Sequence, residues 1–334
     1  MNLIDSSVIT ISADALALII SSVITVLSGC LKKKEHGYRL FAIILFAAMI
    51  DAAANGICYA LHDKVFANAH LLAMIFQTVL ELAIICVLYF WLLFVDYMLY
   101  GSRDHLIRHY RVHFIPVVIC AVLLIINPFT GILYTIDDTM RCSRTIVYDL
   151  MLVVEYMYVV ISMLVVLKYR RENGRLKFFK PEPMLLPMFT AIVISELTPQ
   201  SFIALGFALG FLNMYLYMKR FEKYVDKETG FLNPAYLEYI KKLEEKKVRV
   251  RDVMIRITGR GDISAMPEIL RQELPGDAEV LHMGEGKYLM FAVGKNRGFA
   301  NLLKSILPEA VEEYRAEKGK ELSISIDVIR NEDF

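Results

Sequence analysis

The stretch DKETGFLNPAY, residues 226–236, divides this chain into two parts with different sequence patterns. Before it lie long, nearly continuous apolar runs, and after it apolar and polar residues alternate over short segments. Continuous runs of membrane length are typical of helices that cross a bilayer, whereas short alternating segments are typical of a small folded domain. The stretch therefore marks the change from a membrane domain, residues 1–220, to a second domain, residues 221–334.

The composition supports a membrane assignment for the first part. Of the 334 residues, 56% are hydrophobic and only 22% are charged, which is too apolar for a soluble globular protein. The net charge of +1 offers no general attraction to nucleic acid, and no nucleic-acid partner is expected. Seven apolar runs approach the length of a helical span: 9–31, 40–61, 71–98, 112–127, 147–167, 183–199 and 201–218. The sequence thus predicts an all-α bundle of seven membrane helices.

The distribution of basic residues predicts the orientation of this bundle. Lys and Arg are concentrated in the connections after the first, third and fifth runs, and such residues favour the cytoplasmic side. The N-terminus is therefore expected outside and the C-terminal domain in the cytoplasm. The first run has no basic residue before it, so we do not expect a cleaved signal peptide. Only Cys142 falls in an outside loop, and no structural disulfide is expected.

Three acidic residues fall near the middle of predicted spans. Asp51, Glu81 and Glu155 lie about nine to eleven residues from a span end, which places all three near the bilayer midplane. Gln77 lies one turn before Glu81 on the same helix face. No Lys or Arg lies inside a span to neutralise them, so they are expected to be protonated in part or to share a cation or a ligand amine. Two interpretations remain open: a pocket for a small polar or cationic ligand, or neutral hydrogen bonds between helices.

The longest outside connection runs from Asn127 to Ile146. Its turn signals, Asn-Pro and Thr-Gly, precede apolar residues that suit a short strand or a cap over the bundle. A connection of this length is either a plain connector or a lid over a ligand.

The second domain shows a complete pattern of strands and helices. Asn233 caps a helix that begins at Pro234, and the segments that follow alternate in the order βαββαβ. This is the split arrangement that forms an antiparallel sheet with helices on one face. Two of its strands are joined by the turn Gly284-Glu285-Gly286.

Three segments of this domain resemble the GGDEF (diguanylate cyclase-type) family. Residues 226–236 resemble the family's opening D-x-L-T-G-L-x-N-R, with Pro234 in place of Arg; the matching residues are Asp226, Thr229, Gly230, Phe231 and Asn233. HMGEGKYLMF, residues 282–291, resembles R-l-G-G-D-E-F-x-x-l, and SISIDV, residues 323–328, resembles t-v-S-i-G-v. The layout of the first 220 residues also resembles the seven-helix sensor module that precedes GGDEF and histidine kinase domains in bacteria. The resemblance implies a palm-like fold and a bacterial signalling protein.

The residues that carry catalysis in that family are altered here. The resemblance implies two metal ions that position GTP, held by acids at the hairpin turn and on the first strand. In the hairpin, Gly284 is kept, and the next four family positions are replaced by Glu285, Gly286, Lys287 and Tyr288. On the first strand, the two metal-binding acids correspond to Arg256 and Thr258. The inhibitory R-x-x-D motif would fall on Pro275 and Ala278. The domain is therefore expected to be catalytically silent, without metal or cofactor.

These observations favour a non-enzymatic membrane receptor. A stimulus or small ligand outside or within the membrane would act through the degenerate GGDEF-like domain on a second copy of the chain or on another GGDEF-type protein. A first alternative is a divergent diguanylate cyclase or nucleotide-binding enzyme that uses Glu285, Asp262 or Asp252. A second is an ion-coupled transporter or channel, in which Asp51, Glu81 and Glu155 form an ion path and the tail regulates it. The glycine-rich turns at 259–262 and 284–287 are either phosphate cradles or plain turns.

Overall fold

A computed structural model describes residues 3–32, 36–64, 66–101, 106, 110–173, 181–245, 253–274, 279–292 and 297–329. The described chain is mostly helical and ends in a small antiparallel sheet. It forms two compact units. The first takes most of the chain up to Tyr217, and the second begins at Met218 and also includes the chain from Leu99 and from Val166 at the ends of two long helices.

Seven helices make up most of the described N-terminal chain. They are α1 (Leu3–Ser28), α2 (His36–Leu61), α3 (Ala69–Tyr100), α4 (Phe114–Thr130), α5 (Ile146–Asn173), α6 (Glu182–Leu197) and α7 (Ile203–Glu222). Each corresponds to one predicted apolar run. The main difference is in length, because most of the helices extend several residues beyond the apolar runs that suggested them.

Four of these helices are long and apolar enough to cross a membrane: Ser6–Ser28, His36–Leu61, Ala69–Tyr100 and Ile146–Arg171. These four helices indicate a membrane protein. Helices α4 and α6 are apolar but have only 17 and 16 residues, and α7 carries Lys219 and Arg220 in its last turn. Length and composition thus support four spans, and the remaining three stay a prediction.

Small residues bring several of these helices close together. The Cβ of an alanine at Gly206 would lie 2.5 Å from Ala191 Cβ, and one at Gly210 would lie 2.8 Å from the Met184 carbonyl oxygen. Helices α6 and α7 therefore touch through their backbones, as is common where helices associate in lipid. Ala17, Ala52, Ala204 and Ala208 form a further small-residue cluster of α1, α2 and α7.

Between α4 and α5 the chain forms a two-stranded hairpin. Strands β1 (Tyr134–Ile136) and β2 (Cys142–Arg144) are antiparallel, with Tyr134 opposite Arg144 and Ile136 opposite Cys142. The predicted short strand is therefore present, and it is paired. We call residues 131–145 the hairpin cap.

The C-terminal unit contains a four-stranded antiparallel sheet. After helix α8 (Pro234–Glu245) the elements are β3 (Val253–Gly261), α9 (Met266–Glu273), β4 (Glu279–His282), β5 (Lys287–Ala292), α10 (Arg297–Lys318) and β6 (Leu322–Ile329). A 3-10 turn at Ile263–Ala265 leads into α9. The strands lie in the order β4-β5-β3-β6, and every neighbouring pair is antiparallel. This is the βαββαβ order that the pattern predicts.

Both faces of the sheet are covered, which differs from the prediction of helices on one face. Successive residues of a strand point to opposite sides. Ile255 and Ile257 of β3 pack with α9 and α10, whereas Met254 packs with Tyr236 and Ile240 of α8. The βαββαβ pattern places α9 and α10 on one face, and α8 covers the other because its apolar stripe would otherwise be exposed to water.

Candidate functional site

A cavity of about 400 Å³ lies among the helices of the first unit. Its lining comes from α2, α3, α5, α6, α7 and the hairpin cap. The four residues that the sequence suggested for an intramembrane pocket, Asp51, Gln77, Glu81 and Glu155, all line it. The structure thus brings together side chains that depth alone could not show to converge.

The three carboxyl groups in this cavity are deeply buried and only partly hydrogen-bonded. Asp51 is 1% exposed, Glu81 2% and Glu155 5%. One oxygen of each, Asp51 Oδ2, Glu81 Oε2 and Glu155 Oε1, has no hydrogen-bond partner among the described residues. A buried polar atom without a partner is costly, so these oxygens favour a cation, a proton or a donor from a ligand.

Glu81 is held in place by two donors. Gln77 Nε2 donates to Glu81 Oε1 at 2.7 Å, and the Tyr148 hydroxyl donates to the same oxygen at 2.8 Å. Gln77 and Glu81 therefore lie on one helix face, as their spacing predicts, and the structure adds the hydrogen bond between them. Both donors fix one carboxyl oxygen and leave Oε2 unpartnered.

Several lining residues were missed by the sequence reasoning. Arg141 and Arg144 belong to the hairpin cap and supply positive charge to the cavity wall, although no Lys or Arg lies within a predicted span. The Arg144 guanidinium lies 4.9 Å from the centre of the Tyr148 ring, a cation–π distance. Gln200, 5% exposed, also lines the cavity, and its Nε2 has no partner among the described residues. The length of the connection between α4 and α5 could have indicated these arginines. A connection that folds over the helices brings its charged side chains to the opening of the cavity.

The hairpin cap is fastened to α4 and α3 by buried hydrogen bonds. Asn127 is fully buried; its Oδ1 accepts from Leu133 N at 2.7 Å and its Nδ2 donates to the Tyr134 carbonyl at 3.0 Å. The Tyr134 hydroxyl lies 2.7 Å from Thr78 Oγ1 of α3. These contacts position the hairpin as a fixed wall of the cavity, which a plain connector would not be.

A second set of contacts ties the tip of the cap to the loop between α2 and α3. Arg141 Nη2 lies 3.1 Å from Asp63 Oδ2, and Asp63 N donates to the Thr139 carbonyl at 3.0 Å. Asp137 Oδ1 accepts from the Thr139 hydroxyl at 2.6 Å and from the Thr139 and Arg141 main-chain N–H groups at 2.9 Å. These bonds, that of the hydroxyl first, lower the pKa of Asp137. Burial raises the pKa of the Cys142 thiol to about 12, so this cavity residue is a poor nucleophile.

An acid that the sequence reasoning did not single out lies on α1. Asp14 is 2% exposed, and Asn55 Nδ2 donates to its Oδ2 at 2.9 Å. Asn55 also lines the cavity, one turn after Asp51. The buried polar region therefore extends from the cavity towards α1.

In the C-terminal unit, the segment whose sequence resembles an altered GGDEF motif forms a tight turn. Gly284, Glu285 and Gly286 all have positive φ (88°, 46° and 70°), and Lys287 N donates to the Gly284 carbonyl at 2.9 Å. The Glu285 side chain is 92% exposed, and its Oε2 lies 4.0 Å from Lys287 Nζ. Tyr288 is buried and stacks on His282 at 5.1 Å.

The first-strand positions lie beside this turn. Thr258 is directly opposite Lys287 in the sheet, and Arg256 is opposite Leu289. A cation therefore lies opposite Thr258, one of the two positions at which the resemblance implies a metal-binding acid. Within the described residues, no group of three or more His, Cys, Asp or Glu side chains is placed to hold a metal ion.

Residues 226–233 form a compact segment between α7 and the sheet, which we call the junction. It contains the residues of the entry motif, Asp226, Thr229, Gly230 and Asn233. Asp226 Oδ1 accepts from Glu228 N at 2.8 Å, and Oδ2 lies 2.6 Å from His282 Nδ1, a hydrogen bond that lowers the pKa of Asp226. Asn233 Oδ1 accepts from Ala235 N at 3.1 Å, which is the predicted helix cap. Asp226 and Asn233, which match the GGDEF entry motif in sequence, thus have structural roles.

Two further contacts fix the junction against the sheet. The Thr229 carbonyl accepts from Arg271 Nη2, and Gly230, at φ +70°, leaves the space that this guanidinium occupies. Leu232 N donates to the Val280 carbonyl at 3.0 Å, and His282 N donates to the Leu232 carbonyl at 2.7 Å, so Leu232 continues the pairing at the edge of β4. The junction is therefore part of the sheet's edge.

Asp262, one of the acids considered for a divergent enzyme, is also occupied by neighbours. Its carboxylate lies 2.8 Å from Lys320 Nζ and accepts from the Tyr314 and Ser264 hydroxyls at 2.9 and 2.5 Å. These partners, Lys320 first, hold the pKa of Asp262 far below its ordinary value. Asp252 lies outside the described residues, as do Pro275 and Ala278.

No protein-family model matches the chain, and no curated protein matches it at a significant level.

Proposed function

We propose that this chain is a multi-pass membrane receptor whose seven helices bind a small ligand and whose C-terminal domain passes the signal to a protein partner. The observation that carries the proposal is the convergence of Asp51, Glu81 and Glu155, from three helices, on one cavity under the hairpin cap. A concave site with a few convergent polar groups and apolar walls is the usual form of a small-molecule site. In the orientation that the distribution of Lys and Arg predicts, the hairpin cap is outside the cell and the C-terminal domain is in the cytoplasm.

Helix α7 is the natural element for the relay. It lines the cavity through Ile203 and Phe207 near its first residue. At its other end, Phe221 packs with the cluster that contains Leu232 and Tyr236 of the C-terminal unit. One unbroken helix of 20 residues therefore contributes to both places. A ligand that shifts α7 would act on the junction, because the same helix contributes residues to both sites.

The output is proposed to be a protein interaction rather than catalysis. The acids nearest the altered GGDEF positions are either exposed, as Glu285 is, or held by structural partners, as Asp262 is. A degenerate GGDEF-like domain that keeps its fold offers surfaces for pairing with a second copy of the chain or with another GGDEF-type protein. This interpretation accounts for the retained junction together with the replacement of acidic residues by Gly286 and Lys287.

The proposed absence of diguanylate cyclase activity is tested with the full chain in lipid nanodiscs, supplied with GTP and Mg²⁺. We expect no cyclic di-GMP above the level of empty nanodiscs. Product formation that disappears in Lys287→Ala and persists in Lys242→Ala would contradict the proposal and support a divergent cyclase. Lys242, an exposed lysine in the last turn of α8, serves as the matched control.

A cation-coupled carrier is a second candidate, because the same three buried acids also suit an ion path. Proteoliposomes that contain the full chain distinguish the two functions. The receptor predicts no proton or sodium flux beyond that of protein-free liposomes. A flux that Glu81→Gln abolishes and Asp149→Asn leaves intact would replace the receptor with the carrier.

A further inference from the structure

The two edges of the C-terminal sheet differ in their pairing. At the β4 edge, Leu232 of the junction continues the sheet, because Leu232 N donates to the Val280 carbonyl and His282 N donates to the Leu232 carbonyl. Strand β6 (Leu322–Ile329) forms the other edge, and within the described residues no further strand pairs with its outer side. One edge is therefore occupied, and the other is unpaired over the eight residues of β6.

The hydrogen bonds of β3 show which main-chain groups of β6 point away from the sheet. Asp262 N donates to the Glu321 carbonyl at 2.8 Å, and Gly259 N donates to the Gly286 carbonyl on the β5 side at 2.8 Å. In an antiparallel pair, opposed residues that exchange hydrogen bonds alternate with opposed residues that do not. In the register of β3 and β6, the odd-numbered residues of β6 therefore bond to β3. The outward N–H and C=O groups belong to Leu322, Ile324, Ile326 and Val328.

Strand β6 lacks the features that commonly protect an exposed edge. Its sequence, LSISIDVI, contains no proline and no lysine, and Asp327 is its single charged residue. Its register with β3 is continuous from Leu322 to Ile329, without a bulge. An unpaired strand offers main-chain donors and acceptors to another strand, and monomeric proteins usually block such edges with charges, proline or bulges. The edge of β6 is therefore suited to pairing with a further strand.

The sequence of β6 is self-complementary about Ser325. Apolar residues occupy positions 322, 324, 326 and 328, and polar residues occupy positions 323, 325 and 327. A two-fold axis at Ser325 places Ile324 opposite Ile326 of a second copy, and Ser323 opposite Asp327 of that copy. Ile324 and Ile326 then stay on the face that packs with α9 and α10. A patch that is complementary to itself under a two-fold rotation is what a symmetric dimer requires.

Other registers of the same two strands are less favourable. A slip of one residue sets the outward groups of one copy against groups that already bond to β3 in the other. A slip of two residues in one direction places Asp327 opposite Glu321 of the second copy, and like charges directly opposite each other are destabilising. A slip of two residues in the other direction leaves Leu322 without a counterpart in β6. The pairing centred at Ser325 gives every outward residue a counterpart with which it exchanges two hydrogen bonds.

From these observations we propose that two copies of the chain pair along β6, antiparallel and centred at Ser325, so that their two sheets join into one. Addition of a strand at an exposed sheet edge is a common form of protein recognition. This inference rests on the proposed output through a protein partner, and it names the partner as a second copy and the surface as the outer edge of β6.

Cysteine cross-linking of the full chain in membranes of the expression host tests the register, with copper phenanthroline as the oxidant. Opposed residues that share no main-chain hydrogen bonds have Cα atoms about 4.5 Å apart, which lies within the range of about 4.4–6.8 Å for a disulfide. We expect Ser325→Cys to give at least fivefold more disulfide-linked dimer than the unchanged chain with its five cysteines.

Ser323→Cys is the matched control, because Ser323 is an exposed serine on the same face of the same strand. Its counterpart in the second copy would lie four residues further along the strand, about 13 Å away, which is too far for a disulfide. We expect no increase in cross-linking for Ser323→Cys alone. Combined with Asp327→Cys, it should give a cross-link again, because these two positions face each other in the proposed register.

Charges introduced at the two-fold axis test the interface without oxidation. In Ser325→Lys the two introduced lysines would face each other, so we expect the dissociation constant of the dimer in detergent to rise at least tenfold, measured by light scattering. Ser325→Glu should do the same, and a mixture of the two variants should restore the dimer. Ser323→Lys, which faces Asp327, should not weaken it. Both serines are exposed, so these variants should keep the fold.

The outcomes separate this inference from the receptor function. Equal cross-linking of Ser323→Cys and Ser325→Cys, or no cross-link in Ser325→Cys and in the double variant, would overturn the pairing along β6. A dimer that Ser325→Lys leaves unchanged would also overturn it. The receptor function fails on a different observation, namely an unchanged junction when the cavity is altered, and this measurement does not depend on β6.

Discussion

The acidic residues of the two units differ in burial and in hydrogen bonding. Three described acids of the C-terminal unit have a structural partner or lie in water: Asp226 has His282, Asp262 has Lys320, and Glu285 is exposed. In the membrane unit, Asp51, Glu81 and Glu155 are buried together with open carboxyl oxygens. Burial without full hydrogen bonding is costly and persists where function needs it. Under the proposed receptor function, this contrast assigns ligand recognition to the first unit and a structural role to these acids of the C-terminal unit.

The largest effect is expected from placing an acid at position 286, in the turn between β4 and β5 of the C-terminal unit. Gly286 has φ +70°, and a Cβ there would lie 2.8 Å from Ile263 Cγ2 and 3.0 Å from the Gly259 carbonyl oxygen. Gly286→Asp should cost about 2–4 kcal/mol through backbone strain and this clash, and should give no cyclic di-GMP. The free energy is measured by hydrogen exchange of the β5 amides in the full chain.

Gly284→Asp is the control for that variant. Gly284 has φ +88°, but a Cβ there meets nothing within 4 Å, so only the backbone strain of about 1–2 kcal/mol is expected. Equal stability of the two variants, or cyclic di-GMP made by Gly286→Asp, would show that the position remains able to accept a metal-binding acid.

Loosening the hairpin cap is the next largest expected effect. Asn127→Ala removes the acceptor of Leu133 N and the donor to the Tyr134 carbonyl, both buried. Because main-chain groups would be left without partners, we expect a loss of about 2–3 kcal/mol. The measurement is exchange of the Leu133 and Tyr134 amides, with Thr130→Val as control, since Thr130 only caps its own helix at an exposed position. Unchanged exchange would mean that the cap is held by other contacts.

Removing one of the hydrogen bonds between the cap and α3 should have a smaller effect, because His70 Nε2 of α3 also lies 3.1 Å from the Ile136 carbonyl oxygen. Tyr134→Phe deletes the hydroxyl that lies 2.7 Å from Thr78 Oγ1 and should destabilise the cap by about 1 kcal/mol. Exchange of the hairpin amides measures it. In the double variant with Thr78→Val the two losses should not add, because both remove one interaction. Full additivity would show that the two hydroxyl groups do not interact.

The smallest effect concerns the acid dependence of the C-terminal unit. The folded pKa of Asp262 is depressed, mainly by Lys320, so its contribution to stability is complete above the ordinary pKa of a carboxyl group, about 4, and declines below it. Protection of the β6 amides, corrected for intrinsic exchange, should fall from pH 5 to pH 3. Asp262→Asn should flatten this fall, whereas the exposed Asp327→Asn should not. An identical fall in both variants would assign the acid dependence elsewhere.

Much of the fold follows from sequence periodicity. The apolar runs locate seven helices, and the alternating segments give the βαββαβ order with its antiparallel sheet. Four helices meet the length and composition of a span; α4, α6 and α7 do not, because they are short or end in basic residues. The position of α8 on the second face of the sheet was not predictable, since it depends on tertiary packing rather than on strand order.

The candidate site was predictable in part. Depth along a span suggested Asp51, Glu81 and Glu155, and the i, i+4 spacing suggested Gln77. The sequence could not show Arg144 or Tyr148, because their place depends on how the hairpin cap folds back over the helices. Local spacing carries information about one element, whereas a cavity is made by several elements that are distant in sequence.

The most direct test of the account is whether a change in the cavity reaches the junction. Amide exchange of Leu232 and His282, which hold the junction on β4, is measured in the full chain in nanodiscs for the unchanged protein, Glu81→Gln and Asp149→Asn. The account predicts that Glu81→Gln alters these two exchange rates by about threefold or more, a difference near 0.6 kcal/mol, and that Asp149→Asn does not. If Glu81→Gln alters exchange around the cavity while Leu232 and His282 keep their rates, the cavity is not coupled to the C-terminal domain.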